Sequence, residues 1–145
     1  MIAAMRVVLD SSVVVAAVRS QTGASSHLFV LADQGKLTFL ASATLLLEYE
    51  EVLLRPEQME AHHWSRDEIE ELIRAIIKRA EPVEIYFQWR PLLTDPDDDF
   101  VLEIAVNGCA DALVTHNRKH FHTLETNFGI PVLSPADLIR RLHNE

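Results

Sequence analysis

The chain has 145 residues, of which 48% are hydrophobic and 24% are charged, with four Gly and six Pro. This length and apolar content predict a globular domain with a buried core, and they exclude collagen-like, low-complexity and disordered classes. The sequence has one cysteine, no apolar run near the ~18 residues that a membrane span needs, and no cationic and apolar leader at its start. We therefore expect a protein of the reducing cytoplasm that makes no membrane contact, with residues 1–145 forming a single domain.

The charge balance leaves two interpretations open. Thirteen basic and 22 acidic residues give a net charge of −9. Such a surplus normally argues against a nucleic-acid partner, because phosphate binding requires Lys and Arg. The acids can simply keep the protein soluble, or some of them can cluster around a cation that contacts phosphate. Only their positions can distinguish these interpretations.

Short β-branched runs alternate with amphipathic segments along the chain. The patterns predict strands at 6–10, 37–40, 83–87, 111–115 and 130–133, and helices at 13–19, 25–34, 42–54, 65–79, 98–107, 118–126 and from 134 onward. This alternation predicts an α/β fold: a three-layer α/β/α sandwich with a central parallel sheet of about five strands. Ligands of such sheets bind beyond the carboxyl ends of the strands, where Asp10 and the run 115–117 lie.

Two acids stand where stability alone explains them poorly. Asp10 directly follows an apolar strand, and a role as helix N-cap is about as well supported as a functional one, although Ser11 or Ser12 can supply the cap. On the helix 42–54, a rotation of about 100° per residue places Glu48 about 40° from Val52, at the edge of the apolar stripe. A carboxylate there is costly unless it is paired or reaches water.

The acid run 95–99 contains a third such residue. The same rotation turns Asp98 toward the core and places Asp99 and Glu103 in solvent, while Asp97 suits the helix N-cap. If Asp10, Glu48 and Asp98 converge, their mutual repulsion would recruit a divalent cation. Oxygen ligands without Cys or His favour Mg²⁺ or Mn²⁺ over Zn²⁺.

Four motifs in order resemble those of PIN-domain ribonucleases, most closely the toxin components of VapBC-type toxin–antitoxin pairs. The motifs are Val7-Val-Leu-Asp10-Ser-Ser, Leu45-Leu-Leu-Glu48-Tyr-Glu-Glu-Val-Leu, Asp95-Pro-Asp-Asp98-Asp-Phe-Val-Leu and Ala112-Leu-Val-Thr115-His-Asn117. Each motif alone is weak, but together they extend the resemblance over residues 6–142. The resemblance implies a PIN-like fold.

The resemblance also implies roles for individual residues. Asp10, Glu48 and Asp98 match the three catalytic acids that bind Mg²⁺ or Mn²⁺. Asn117 matches a fourth catalytic position that is often Asp, and its neutral amide makes a second metal ion less favourable. His120 stands where related chains often carry another acid, which also makes a second metal ion less favourable.

Four further residues surround this set by the same resemblance. Ser12 matches a residue that orients the first acid, and Thr115 matches one that supports the site from the fourth strand. Arg118 and Lys119 are the nearest cations in sequence that can guide RNA, although the solvated start of a helix explains them equally well.

The function that the resemblance implies is metal-assisted hydrolysis of an RNA phosphodiester, leaving a 5′-phosphate and a 3′-hydroxyl. A type II toxin of this kind would bind a cognate antitoxin that inserts Arg or Lys into the acidic cleft, and would form a homodimer or larger assembly. One alternative is a catalytically inactive PIN-like module that binds RNA or protein. Another is phosphoaspartyl chemistry at Asp10, which Ser12 disfavours because haloacid-dehalogenase-type phosphatases have an acid at that place.

The histidines and the cysteine, whose side chains can also bind metal ions, are predicted to have no part in a metal site. His62 and His63 lack further ligands at metal-binding spacing, and the histidines at 116, 120 and 122 are predicted to lie on the surface. Cys109, between Gly108 and Ala110, is predicted to be a small core residue rather than a nucleophile.

Overall fold

A five-stranded parallel sheet forms the centre of the fold. The structure is a computed structural model that describes residues 3–86 and 96–144, with side chains in the second range described from Phe100 onward. The strands are β1 (Met5–Leu9), β2 (Leu37–Ala41), β3 (Glu81–Pro82), β4 (Ala112–Val114) and β5 (Val132–Leu133). Their order is β3-β2-β1-β4-β5, and every neighbouring pair is parallel.

Helices cover both faces of this sheet. They are α1 (Ser11–Arg19), α2 (Ala24–Asp33), α3 (Ala43–Leu53), α4 (Pro56–His62), α5 (Arg66–Arg79), α6 (Pro96–Asn107), α7 (His122–Phe128) and α8 (Pro135–His143), with a 3-10 turn at Arg118–Phe121. Helices α1 to α5 pack on one another, α8 packs on α2, and α6 packs across β1, β2 and β4. Because parallel crossovers are right-handed, α6 and α7 lie on the face opposite α1 to α5. The predicted three-layer α/β/α sandwich is confirmed.

The strand sequences explain why the sheet lies inside. Val7 and Val8 of β1 and all three residues of β4 are buried, as expected of strands covered on both faces. The long amphipathic helix α5 begins as predicted: Ser65 and Glu68 form a reciprocal capping box. Within the described ranges, none of the helices combines the length and the apolar character required to cross a bilayer.

The third strand is shorter and earlier than the predicted strand 83–87. Strand β3 pairs Glu81 with Leu40 and Pro82 with Ala41, and one more ladder bond runs from Val83 N–H to the Ala41 carbonyl at 3.0 Å. Pro82 lacks an N–H, and a strand at the edge of a sheet tolerates this because one side needs no partner. Phe87, the last residue of the predicted strand, lies outside the described residues.

A short helix between α3 and α5 was not predicted. Pro56 ends the pattern of α3 as expected, but it also occupies the first turn of α4, where its missing N–H costs nothing. His62 closes α4 and is buried: its Nδ1 accepts from the Trp64 N–H at 2.9 Å and its Nε2 contacts the Leu53 carbonyl at 3.0 Å. These contacts agree with the structural role that the sequence predicts for His62.

Two predictions about burial near α6 are wrong. Glu103 was predicted to face solvent but is 1% exposed. Helix α6 contacts three strands and the 3-10 turn, so neighbouring elements cover more of its surface than the single apolar stripe that the rotation argument assumes. Cys109 was predicted to lie in the core but is exposed and has a φ of 51°. Gly108 beside it is required for close packing, since a Cβ there would lie 2.9 Å from the Ile104 carbonyl.

Candidate active site

The candidate site lies where the order of the strands reverses. Strand β1 leads to β2 and β3 on one side, and β4 and β5 lie on the other. Leu9 pairs with Val114, and the Asp10 N–H donates to the Val114 carbonyl at 2.9 Å. The residues that follow these two strands, Asp10 and Thr115, are therefore neighbours at the topological switch point, the preferred ligand site of an open parallel sheet.

The carboxylate of Asp10 is buried and held by two hydroxyl groups. Its side chain is 6% exposed, and Oδ2 accepts hydrogen bonds from Ser12 Oγ and from Thr115 Oγ1, both at 2.8 Å. Asp10 occupies the N-cap position of α1, but its side chain makes no capping hydrogen bond, so its interpretation as a cap is wrong. Ser12 bonds to Asp10 rather than capping the helix. Both donors are neutral, and no donor among the described groups contacts Oδ1.

The turn at 115–117 orients both hydroxyls. The Asn117 N–H donates to Thr115 Oγ1 at 2.9 Å, and the His116 N–H donates to Ser12 Oγ at 3.2 Å. Each hydroxyl thus accepts from the backbone of the turn and directs its own proton to Asp10. Asn117, the predicted fourth catalytic residue, is exposed at this edge.

Helix α3 brings Glu48 toward the same strand end. Tyr49 is buried, and its hydroxyl donates to the carbonyl of Leu9, the last residue of β1. Burial, together with the charges of Asp10 and Glu48, raises the pKa of Tyr49 well above its usual value. Glu48 immediately precedes Tyr49 on α3, so the hydrogen bond to Leu9 brings the segment that carries Glu48 to the strand end that Asp10 follows. Glu48 itself is half-buried, in line with its predicted position at the edge of the apolar stripe.

The backbone of Asp98 lies at the start of α6. The carbonyl of Cys109, two residues beyond the end of this helix, accepts from Arg6 near the amino end of β1, so the first turn of α6 points to the carboxyl edge that carries Asp10. The side chain of Asp98 lies outside the described residues. Among the side chains that are described, no three His, Cys, Asp or Glu residues form a group suited to a metal ion. The oxygen donors of Asp10 and Glu48 have the chemistry that Mg²⁺ or Mn²⁺ prefers.

The two cations predicted to contact RNA have different surroundings. Arg118 donates from Nε to the Val132 carbonyl at 3.1 Å, and its Nη1 lies 3.5 Å from Asp137 Oδ2. These contacts tie the 3-10 turn to β5 and α8. Lys119 is exposed and has no comparable contact with the described residues, which leaves its ammonium group available to a ligand.

The sequence comparison decides the family. A PIN domain family profile matches residues 6–119. The chain belongs to the PIN domain family. Proteins of this family are generally nucleases, so the family indicates nuclease activity. Comparison with curated proteins gives no match.

Two solved structures share the fold. One is VapBC2 from Rickettsia felis bound to a DNA fragment from its promoter, and the other is DNA-bound VapBC from Salmonella typhimurium. In each case the TM-score is 0.59 and the identity is 14%, and the match covers 90% of this chain and 98% of the other. At this identity the likeness concerns the fold.

Sequence analysis assigned no role in the site to Tyr49. Its hydroxyl nevertheless joins α3 to the end of β1, and it is the group on which the charges of Asp10 and Glu48 both act. A tyrosine directly after the candidate acid was the available signal, because a buried Tyr hydroxyl requires a hydrogen-bond partner.

Proposed function

We propose that this protein is a cytoplasmic endoribonuclease that depends on Mg²⁺ or Mn²⁺ and is the toxin of a type II toxin–antitoxin pair. The observation that carries the proposal is the Asp10 carboxylate, buried at the switch point of the sheet and contacted by two neutral hydroxyls. A buried carboxylate is costly for stability unless it is paired, and no cation of the described residues pairs with it.

The residues of the site would divide into metal ligands and groups that support those ligands. Asp10, Glu48 and Asp98 would hold the metal ion. When bound, such an ion polarises a phosphodiester and lowers the pKa of an attacking water. Ser12 and Thr115 fix the orientation of the Asp10 carboxylate, as supporting groups do around metal ligands.

The fourth catalytic position is neutral in this chain. The amide of Asn117 would orient a water molecule or a phosphate oxygen without adding negative charge to the site. This chemistry favours one metal ion over two, because a second ion would require further carboxylate ligands.

RNA would approach the site from the side of the 3-10 turn. Lys119 is exposed there and can contact a phosphate, whereas Arg118 would have to leave Val132 and Asp137 to do so. Since the net charge is −9, the metal ion itself would have to supply much of the attraction for the substrate.

An antitoxin is the proposed protein partner. The two solved structures named above, which share the fold, are VapBC complexes. An Arg or Lys side chain from such a partner would compensate the charge of Asp10 and Glu48 and would exclude the metal ion from the site. We also propose that the protein forms a homodimer or a larger assembly.

A catalytically inactive module that binds RNA or protein is the second candidate function. The neutral Asn117 and the acidic net charge favour it. This candidate requires no divalent ion, so metal binding separates it from the nuclease.

A calorimetric titration with Mn²⁺ tests the proposal without knowledge of the RNA target. We expect saturable binding by the wild type and binding weakened sharply by Asp10→Asn and by Asp98→Asn. The matched control is Asp111→Asn, which alters an acid at the start of β4 that accepts from the Arg6 N–H. No binding by the wild type, or binding that ignores both site variants, would leave the inactive module as the better account.

A further inference from the structure

A buried serine of α2 contacts the turn that supports Asp10. Ser25 lies in the first turn of α2 and is 4% exposed. Its Oγ lies 3.0 Å from Nε2 of His116, which is otherwise exposed at the edge of the site. This contact joins α2 to the turn 115–117 by a side-chain hydrogen bond.

The surroundings of Ser25 define the direction of this bond. A buried hydroxyl requires an acceptor for its proton, and the described residues offer Ser25 Oγ no acceptor other than His116 Nε2. Ser25 therefore donates and Nε2 accepts with its lone pair. The neutral imidazole must then carry its proton on Nδ1.

His116 is connected to Asp10 through its own peptide group. Its N–H donates to Ser12 Oγ at 3.2 Å, and Ser12 Oγ donates to Asp10 Oδ2 at 2.8 Å. The hydrogen bonds from Ser25 to Asp10 thus form a continuous series through the side chain and the backbone of His116. Holding the imidazole fixes the peptide that orients the Ser12 hydroxyl.

We propose that Ser25 and His116 form a positioning pair that sets the metal affinity of the candidate site. The pair touches neither substrate nor metal: it holds the turn so that Ser12 orients the Asp10 carboxylate. This inference rests on the proposed metal-dependent function. It assigns to α2, which carries none of the predicted site residues, a direct effect on the site.

The first experiment examines the bond itself and needs no metal ion. ¹⁵N NMR of the histidine side chains reports which imidazole nitrogen carries the proton, and the His116→Gln variant identifies the His116 resonances among those of seven histidines. We expect the Nδ1–H form in the wild type and a mixture of tautomers in Ser25→Ala. An Nε2–H form in the wild type, or no change in Ser25→Ala, would overturn the pair.

The second experiment measures Mn²⁺ affinity by calorimetry. Ser25→Ala and His116→Leu should each weaken binding about three- to tenfold, and the double variant should bind about as weakly as either single variant, because the two residues act as one unit. His116→Gln should stay within about twofold of the wild type, since its amide oxygen can accept from Ser25.

Ser26→Ala is the matched control. Ser26 Oγ donates to the Ala17 carbonyl at 2.8 Å and also bonds the Ser20 carbonyl, so this variant loosens the same helix turn without touching His116. We expect lower thermal stability but unchanged Mn²⁺ affinity. An equal loss of affinity in Ser26→Ala would show that any loosening of α2 suffices and would overturn the specific role of the pair.

The outcomes separate this inference from the proposed function. A wild type that binds no Mn²⁺ overturns the nuclease proposal and the positioning role with it, while the NMR result still decides whether the pair forms. A wild type that binds Mn²⁺ as tightly as Ser25→Ala and His116→Leu overturns the positioning role alone.

Discussion

Acidic side chains have opposite surroundings at the two edges of the sheet: the amino edge, where the parallel strands begin, and the carboxyl edge, where they end. At the amino edge, the Arg6 guanidinium bonds both carboxylate oxygens of Glu81 and the Cys109 carbonyl, while the Arg6 N–H donates to Asp111. The hydrogen bond to Arg6 lowers the pKa of Glu81, as expected of a paired carboxylate. At the carboxyl edge, the described residues offer the Asp10 carboxylate hydroxyl donors alone.

The difference shows how stability and function divide between the edges. The amino edge contains its own cation, so its charges join β1, β3 and the start of β4 without any ligand. At the carboxyl edge, no cation of the described residues pairs with the Asp10 carboxylate, and burial together with the charges of Asp10 and Glu48 raises the pKa of Tyr49. Such an arrangement is unfavourable for the isolated fold, and it is the usual sign of a site completed by something else.

The largest expected effect comes from Asp10→Asn. RNA hydrolysis should fall at least about 100-fold, because the carboxylate is the proposed metal ligand. The free energy of unfolding without metal should stay equal or rise by about 1 kcal/mol, since an amide keeps the hydroxyl contacts and removes a buried charge. Cleavage assays and urea unfolding of the same preparation test both statements. A variant that loses stability together with activity would contradict the comparison.

Arg6→Met should give the reverse result. Removing the guanidinium leaves the Cys109 carbonyl and Glu81 without their donor, and we expect a loss of about 1–2 kcal/mol in the free energy of unfolding. Mn²⁺ affinity should be unchanged, because Arg6 lies at the opposite edge. Urea unfolding and calorimetry measure the two quantities. Weakened metal binding would show that the edges are coupled through β1.

Tyr49→Phe should have a smaller effect that depends on pH. Loss of the hydrogen bond to the Leu9 carbonyl should cost about 1 kcal/mol at neutral pH. Since the folded pKa is raised, the contribution of Tyr49 to stability is fully present below its ordinary pKa of 10.0 and is lost as pH rises through the folded pKa. As the pH rises above 10.0, the free energy of unfolding should therefore decrease less in Tyr49→Phe than in the wild type.

Urea unfolding between neutral and alkaline pH measures this difference. Tyr86→Phe is the control, because its exposed hydroxyl bonds Glu84 and its pKa is raised by that contact. Equal alkaline profiles for the wild type and Tyr49→Phe would contradict the raised pKa of the buried Tyr49 hydroxyl.

The sequence predicted the fold and the edge of the sheet that carries the site, because both follow from local patterns. Parallel strands are continuous apolar runs, and the angle argument on α3 placed Glu48 at the edge of the apolar stripe, where it is half-buried. Glu103 was misjudged because its burial depends on what covers α6 from several sides. Strand β3 was misjudged because a two-residue edge strand is determined by its neighbour β2 and not by its own sequence.

The contacts within the site lay beyond sequence analysis for the same reason. Ser12, Thr115 and Asp10 meet across 105 positions of the chain, and a hydroxyl gives no sequence signal of its direction. The resemblance supplied Ser12 and Thr115. It gave no indication of Ser25, whose contact with His116 arises from the packing of α2 on α1.

The smallest expected effect concerns the acid limb of the stability curve, which is the decrease in the free energy of unfolding as pH falls below neutral. Because the pKa of Glu81 is lowered, its contribution is present above the ordinary value of 4.5 and is lost as pH falls through the folded pKa. The change should be below about 1 kcal/mol, since the Glu81 side chain is 43% exposed and water screens the pair. Arg6→Met should flatten this limb and Asp10→Asn should leave it unchanged, as measured by urea unfolding between pH 3 and pH 6. If Asp10→Asn flattened it instead, acid sensitivity would belong to the carboxyl edge and the division between the two edges would fail.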